Sequence, residues 1–199
     1  MWMVAAVIAY LLGSISFSYL MGRMLKGIDI RQHGSGNAGA TNTLRVLGKG
    51  PAIAVLSLDV LKGIAAVWLP VWLGQDMIWA RIICGVAVIV GHNWPVFFGF
   101  KGGKGIASTI GVMASLAFLP SLLAGIIAIV TIVITRYVSL GSLLFTAFIP
   151  VFILLLDRSM ELFWISLLVA LFAFVRHRSN IVKLAKGKEN KLGAKKKVC

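Results

Sequence analysis

Three polar islands interrupt a chain that is otherwise strongly apolar, and their residue types point to an anion. The first, GSGNAGATNTLR, runs from Gly34 to Arg45. Its glycines permit sharp bends, its amides and hydroxyls offer hydrogen-bond donors, and Arg45 ends it with a planar cationic fork suited to phosphate or carboxylate. The second, GHNWPVFFGFKGGKG, spans Gly91 to Gly105. It sets Lys101 and Lys104 around Gly102 and Gly103 at an expected helix start, where N–H groups and the helix dipole favour negative charge. The third is RHRSN, Arg176 to Asn180, directly after the last apolar run. Each also has a plainer reading, as a polar loop, a set of topology-marking cations or a histidine at a membrane boundary.

Two familiar phosphate motifs are excluded. Gly34, Gly36 and Gly39 spell G-x-G-x-x-G, with Asp59 about 20 residues on. That fingerprint requires a βαβ unit, and nothing here alternates as strands do. KGGKG is not a P-loop, because the glycine, lysine and hydroxyl spacing is wrong and nucleotide hydrolysis has no support. Asp59 and Lys62 lie three apart inside an apolar run and are expected to pair on one helix face. His92 and Asn93 are expected to hydrogen-bond between helices, and Ser142 to pack one helix on another. Cys84 and Cys199 form neither a metal pattern nor a prenylation box, and no metal site is expected.

The elements that position these islands follow from composition. Of 199 residues 59% are hydrophobic and 13% charged, with a mean hydropathy of +0.95. No water-soluble domain has this balance, and the apolar runs lack the period-2 alternation of a β-barrel. The expected fold is all-α: a single polytopic integral-membrane domain over residues 1–199, with about seven transmembrane helices and short cytosolic motif loops. The apolar runs cover about 3–22, 51–73, 78–100, 104–119, 121–135, 138–156 and 160–175, with a break expected at Pro120. The net charge of +14 arises from 20 Lys and Arg against 6 acids. Most of those cations fall between alternate runs and in a lysine-rich tail from about 182. Topology and anionic lipid headgroups account for them without nucleic acid. Charge placement puts the N-terminus outside, the C-terminus in the cytosol, and all three islands on the cytosolic face.

The islands GSGNAGATNTLR, GHNWPVFFGFKGGKG and RHRSNIVKLAKGKENKLG closely resemble the three cytosolic motifs of bacterial acyl-phosphate:glycerol-3-phosphate acyltransferases. The resemblance implies a multi-pass enzyme of the bacterial cytoplasmic (inner) membrane. Such an enzyme transfers a fatty acyl group from acyl-phosphate to the 1-hydroxyl of glycerol 3-phosphate, giving lysophosphatidate and phosphate for phospholipid synthesis. It implies no cofactor at the chemical step, and partners limited to the two substrates and membrane lipids; a monomer is expected. The His and Asp pair of other glycerolipid acyltransferases is missing, since Ile181 follows His177 at i+4 and Asn37 follows His33.

An acyl-phosphate carries a good leaving group, so positioning, charge neutralisation and loss of one hydroxyl proton remain. On this reading Ser35, Asn37, Thr41 and Asn42 hold the donor together with Gly102 and Gly103. Arg45, Lys104, His177 and Asn180 hold the acceptor phosphate, with Ser142 as an addition. The base is either His177 or a substrate phosphate oxygen, with His177 favoured as a clamp. A transporter or channel for a phosphate ester is the rival class. Against it, polar residues do not continue outward, and no repeat symmetry is evident.

Overall fold

The computed structural model describes residues 1–193, and the last three lysines and Cys199 lie outside them. Among the described residues the chain is helical, with no strand. Ten α-helices follow in order: α1 (Trp2–Ser14), α2 (Phe17–Lys26), α3 (Ala40–Leu47), α4 (Lys49–Trp72), α5 (Ile78–Asn93), α6 (Ile106–Leu116), α7 (Phe118–Thr135), α8 (Val138–Phe152), α9 (Met160–Arg176) and α10 (Arg178–Ala185).

Five apolar stretches are long enough to cross a bilayer: Trp2–Lys26, Lys49–Trp72, Ile78–Phe98, Phe118–Thr135 and Val138–Asp157. A sixth counts if α9 and α10, bent by 65° at their junction, are taken together. The seventh apolar run is α6, whose 11 residues span only about 16 Å at 1.5 Å per residue, half of a hydrocarbon core. The seven runs read from the sequence are therefore all helical, but one is too short to span. Pro120 does not break the chain as expected. The break falls at Ala117, with φ −145° and ψ 74°. Pro120 sits in the first turn of α7, where its missing N–H leaves no helical bond unmade.

Helix ends follow local chemistry. Ser16 caps α2 by accepting from the Tyr19 N–H, and α2 ends at Gly27 in the left-handed region. Ser159 caps α9 in the same way, accepting from the Leu162 N–H, with Glu161 in the first turn complementing the helix dipole.

The chain forms two compact units, Met1–Leu116 and the part from Ala117 onward. In the first, α1 packs on α5 while α4 packs on α6 and α5. The crossings run through small residues. A Cβ on Gly13 would meet the Val88 carbonyl, one on Gly91 the Tyr10 carbonyl, and one on Gly63 the Ser108 carbonyl. Such contacts let backbones approach where lipid supplies no hydrophobic drive between helices. Val55, Val67, Ile82, Val88, Ile89 and Met113 fill the interior. In the second unit α7 packs on α8 and α8 on α9. Ile129, Val133 and Ile134 stay exposed along α7, as a lipid-facing surface requires.

Candidate active site

The first unit brings two of the three islands together. Arg31, just before the first, donates through Nη1 to the Phe98 carbonyl of the second at 2.8 Å. Its other edge pairs with Asp29 at 2.8 Å, and the guanidinium lies 5.0 Å from the Tyr19 ring centroid. The Arg31 hydrogen bond holds the Asp29 carboxyl below the usual carboxylate range, against the opposing pull of burial. A second junction lies at Gly103. A Cβ there would overlap His92 Nε2 and stand 2.6 Å from the Ala38 carbonyl, so the two glycine-rich turns meet at this point. Gly103 donates its N–H to the His92 carbonyl at 3.1 Å. Gly102 is equally constrained, since a Cβ would collide with that same carbonyl. Only glycine fits at either position, and α6 starts at Ile106 as the motif predicts.

The first island is shaped by Asn42. Its carboxamide is fully buried; Oδ1 accepts from the Ser35 N–H at 2.7 Å. Nδ2 donates to the carbonyls of Ile30 at 3.1 Å and His33 at 3.0 Å. Three bonds commit this side chain to the loop. Gly34, at φ +65°, leaves the room Asn42 needs, because a Cβ would strike its Oδ1. Ser35 and Arg45 are exposed, Asn37 and Thr41 half-buried, and Lys104 half-buried beside Gly103. Thr41 lies in the first turn of α3 behind its Gly39 cap, and Arg45 in the last.

The second unit carries the third island. His177 stands at the junction between α9 and α10, capping both. The chain bends by 65° at this junction rather than running on as one straight helix. His177 is buried, with Nδ1 2.8 Å from the Ala173 carbonyl. A carbonyl only accepts, so this contact places a proton on Nδ1, a second donor to a carbonyl that already takes the His177 N–H at 2.9 Å. Asn180 donates from Nδ2 to Glu189 Oε1 at 2.9 Å. Ser142 is buried and turns its hydroxyl back onto the Val138 carbonyl at 2.9 Å, the helix-internal bond of a packing serine. A groove of about 460 Å³ lies beside these residues, lined by apolar side chains including Leu143, Leu144, Phe174, Ile181 and Leu184.

Sequence reasoning passed over Asp29, Arg31 and Glu189. Glu189 carried a signal, being the sole acid after Glu161 in a run of lysines. The chain beyond α10 also folds back: the Leu192 carbonyl accepts from Arg136 Nη2 at 2.6 Å, and the Leu192 N–H donates to the Arg136 carbonyl at 2.7 Å.

The fold defines a helical integral-membrane protein in which two glycine-rich polar loops meet. The family described as glycerol-3-phosphate acyltransferase matches residues 3–187. The chain is 55% identical over 193 residues to the glycerol-3-phosphate acyltransferase of Halalkalibacterium halodurans, covering 94% of each. It is 54% identical over 191 residues to that of Shouchella clausii, covering 94% of this chain and 93% of the other. It is also similar to the crystal structure of PlsY (YgiH), an integral membrane glycerol 3-phosphate acyltransferase, in its glycerol 3-phosphate form. That likeness has a TM-score of 0.89 at 36% identity over 96% of each chain. The lysophosphatidic acid form of the same enzyme gives a TM-score of 0.87. The chain belongs to the glycerol-3-phosphate acyltransferase family, and it is an integral-membrane enzyme that transfers an acyl group to glycerol 3-phosphate.

Proposed function

We propose that the acyl donor is an acyl-phosphate and that transfer to the 1-hydroxyl is a single displacement. The observation that carries this reading is the meeting of two glycine-rich turns at Ala38 and Gly103, flanked in sequence by Arg45 and Lys104. Turns of this kind present N–H groups and cations to phosphate oxygens. In the reaction the glycerol 3-phosphate hydroxyl oxygen attacks the acyl carbonyl carbon. The bond from that carbon to the phosphate oxygen then breaks, and phosphate leaves with the electron pair. The hydroxyl proton ends on phosphate.

Ser35, Asn37 and Thr41 act on the donor together with Gly102 and Gly103, while Arg45 and Lys104 neutralise phosphate charge. Asn42 shapes the loop rather than touching substrate, because its carboxamide already makes three bonds. The assignment of His177, Asn180 and Ser142 to the acceptor rests on the resemblance of their motif. Ser142 is the weakest of these, with its hydroxyl engaged within α8. The setting is the bacterial inner membrane with the loops on the cytosolic side, supported by the distribution of Lys and Arg. The product, lysophosphatidate, feeds phospholipid synthesis.

The test is to give detergent-purified enzyme glycerol 3-phosphate with either palmitoyl-phosphate or palmitoyl-coenzyme A. Lysophosphatidate and one equivalent of phosphate from the first donor alone are expected. Turnover with the thioester at a comparable kcat/KM would overturn the donor assignment. Acylation without a sealed membrane excludes pure transport.

A further inference from the structure

Beneath the two glycine-rich turns lies a set of ionisable groups that the reaction above does not use. Asp59 and Lys62 on α4 are 1% and 3% exposed, and His92 on α5 is 7% exposed. Lys62 Nζ pairs with Asp59 Oδ1 at 2.7 Å. It also donates to the carbonyls of Gly13 at 3.2 Å and Ile15 at 2.9 Å. These belong to the end of α1, whose carbonyls need donors once the helix stops. Lys62 thus secures the break between α1 and α2, and neutralises Asp59. That pairing accounts for Lys62 but not for the neighbour on α5. His92 Nδ1 faces the same Asp59 oxygen at 3.5 Å, while Nε2 at the far side of the ring lies against Gly103, where the Ala38 carbonyl also arrives. The His92 main-chain carbonyl takes the Gly103 N–H as well. One residue therefore touches the second turn through both ring and backbone, and its ring lies where the first turn meets it.

We propose that Asp59 and His92 are positioning residues: a buried carboxylate–imidazole pair that holds the two glycine-rich turns at one spacing and thereby sets the enzyme's affinity for phosphate. The proposal rests on the reading of these turns as a phosphate cradle. A carboxylate facing Nδ1 keeps the proton on that nitrogen and fixes the ring's orientation, as carboxylates do for histidines behind metal sites. With the ring fixed, Gly103 and Ala38 have a rigid floor. Without it they retain the short chain links on either side and the Arg31 strap to Phe98, which do not define spacing at the level hydrogen bonding demands. A solely structural pair would hold α4 to α5 and leave phosphate affinity unaltered.

The experiment measures protection of the purified enzyme against thermal unfolding by inorganic phosphate, in wild type and three variants. His92→Leu is expected to weaken phosphate binding by about tenfold or more, and Asp59→Asn by about threefold to tenfold. His92→Gln, which keeps an amide near the position of Nε2 but nothing at Nδ1 to face Asp59, is expected to lose about as much as Asp59→Asn. Lower melting temperatures with unchanged phosphate affinity would overturn the proposal, as would a wild-type enzyme that phosphate does not protect. If His92→Leu is not recovered folded, Asp59→Asn decides: wild-type affinity in that variant overturns the proposal. The donor reading is tested separately by wild-type turnover of palmitoyl-phosphate. Loss of phosphate affinity in an enzyme that refuses this donor would support the brace and overturn the donor assignment.

Discussion

The two units of the chain expose the same kind of apolar surface but bury different things. The unit from Met1 to Leu116 encloses Asp59, Lys62, His92, Asn93, Ser108 and Thr109. The unit from Ala117 encloses serines, threonine, His177 and Glu189, beside a groove whose lining is apolar. Burying a carboxylate and an ammonium within helices that cross a membrane costs several kcal/mol unless both are paired and hydrogen-bonded. Lys62 meets that condition with three partners. Among the described residues the buried carboxylate–ammonium pair lies beneath the two glycine-rich turns. Among the described residues of the second unit the buried ionisable groups lie at or beyond helix ends: His177 uses a helix-end carbonyl, and Glu189, with Arg136, anchors the chain after α10. The difference teaches that the first unit buries its charge between helices beneath the glycine-rich turns, whereas the second keeps its buried ionisable groups at helix ends.

The largest expected effect tests the cradle directly. Arg45→Ala and Lys104→Ala should each lower kcat/KM by about 10²–10³, with circular dichroism unchanged. Near-normal turnover in both would reduce these cations to topology markers and erase the contrast between units.

A smaller effect separates a glycine that is needed from one that is not. Gly103→Ala drives a methyl group into the His92 ring and the Ala38 carbonyl, and should cost about 1–3 kcal/mol of stability as an overpacked site. Gly125, within α7, has open space where its Cβ would stand. There the alanine should be neutral or stabilise by up to about 1 kcal/mol. Thermal midpoints of the two variants, measured in the same detergent, check the pair. Equal destabilisation would mean the turn is no more constrained than a lipid-facing helix.

The second unit is probed at His177. His177 donates from Nδ1 to the Ala173 carbonyl, and on the proposed reading it binds the acceptor phosphate. If it is a clamp, His177→Gln should keep kcat within about tenfold of wild type while His177→Ala loses more. If it is the base, both variants should fall alike and lose the histidine limb of the pH–rate profile. Turnover of His177→Gln at background with normal glycerol 3-phosphate binding would restore the histidine as base.

The smallest effect concerns the strap between the islands. Arg31 holds the Asp29 carboxyl below its usual range, so the folded state binds that proton more weakly than the unfolded chain. The stabilisation is complete above the ordinary carboxylate pKa of about 3.9, and it declines as pH falls through the lowered folded value. Asp29→Asn should lower stability at neutral pH by no more than about 1 kcal/mol, since the pair is partly exposed. The gap from wild type should close towards pH 3 in thermal melts. A gap that does not change with pH would assign the loss to packing alone.

Composition and local pattern by themselves determined the helical class, the seven apolar runs and the three islands. Lipid leaves no other partner for backbone groups than the helix itself, and Lys and Arg placement is a local matter of loops. The start of α6 after KGGKG and the Asp59–Lys62 pair were legible for the same reason, since both depend on neighbours within a turn or two. Only the tertiary structure decided that Asn42 is committed to its own loop and that the chain breaks at Ala117 rather than Pro120. It alone bent the chain at His177 and showed Glu189 holding Asn180. Above all, it placed His92 between Asp59 and Gly103. Those outcomes depend on which atoms meet across segments far apart in sequence, and residue type and spacing carry no information about a ring that lies between two turns.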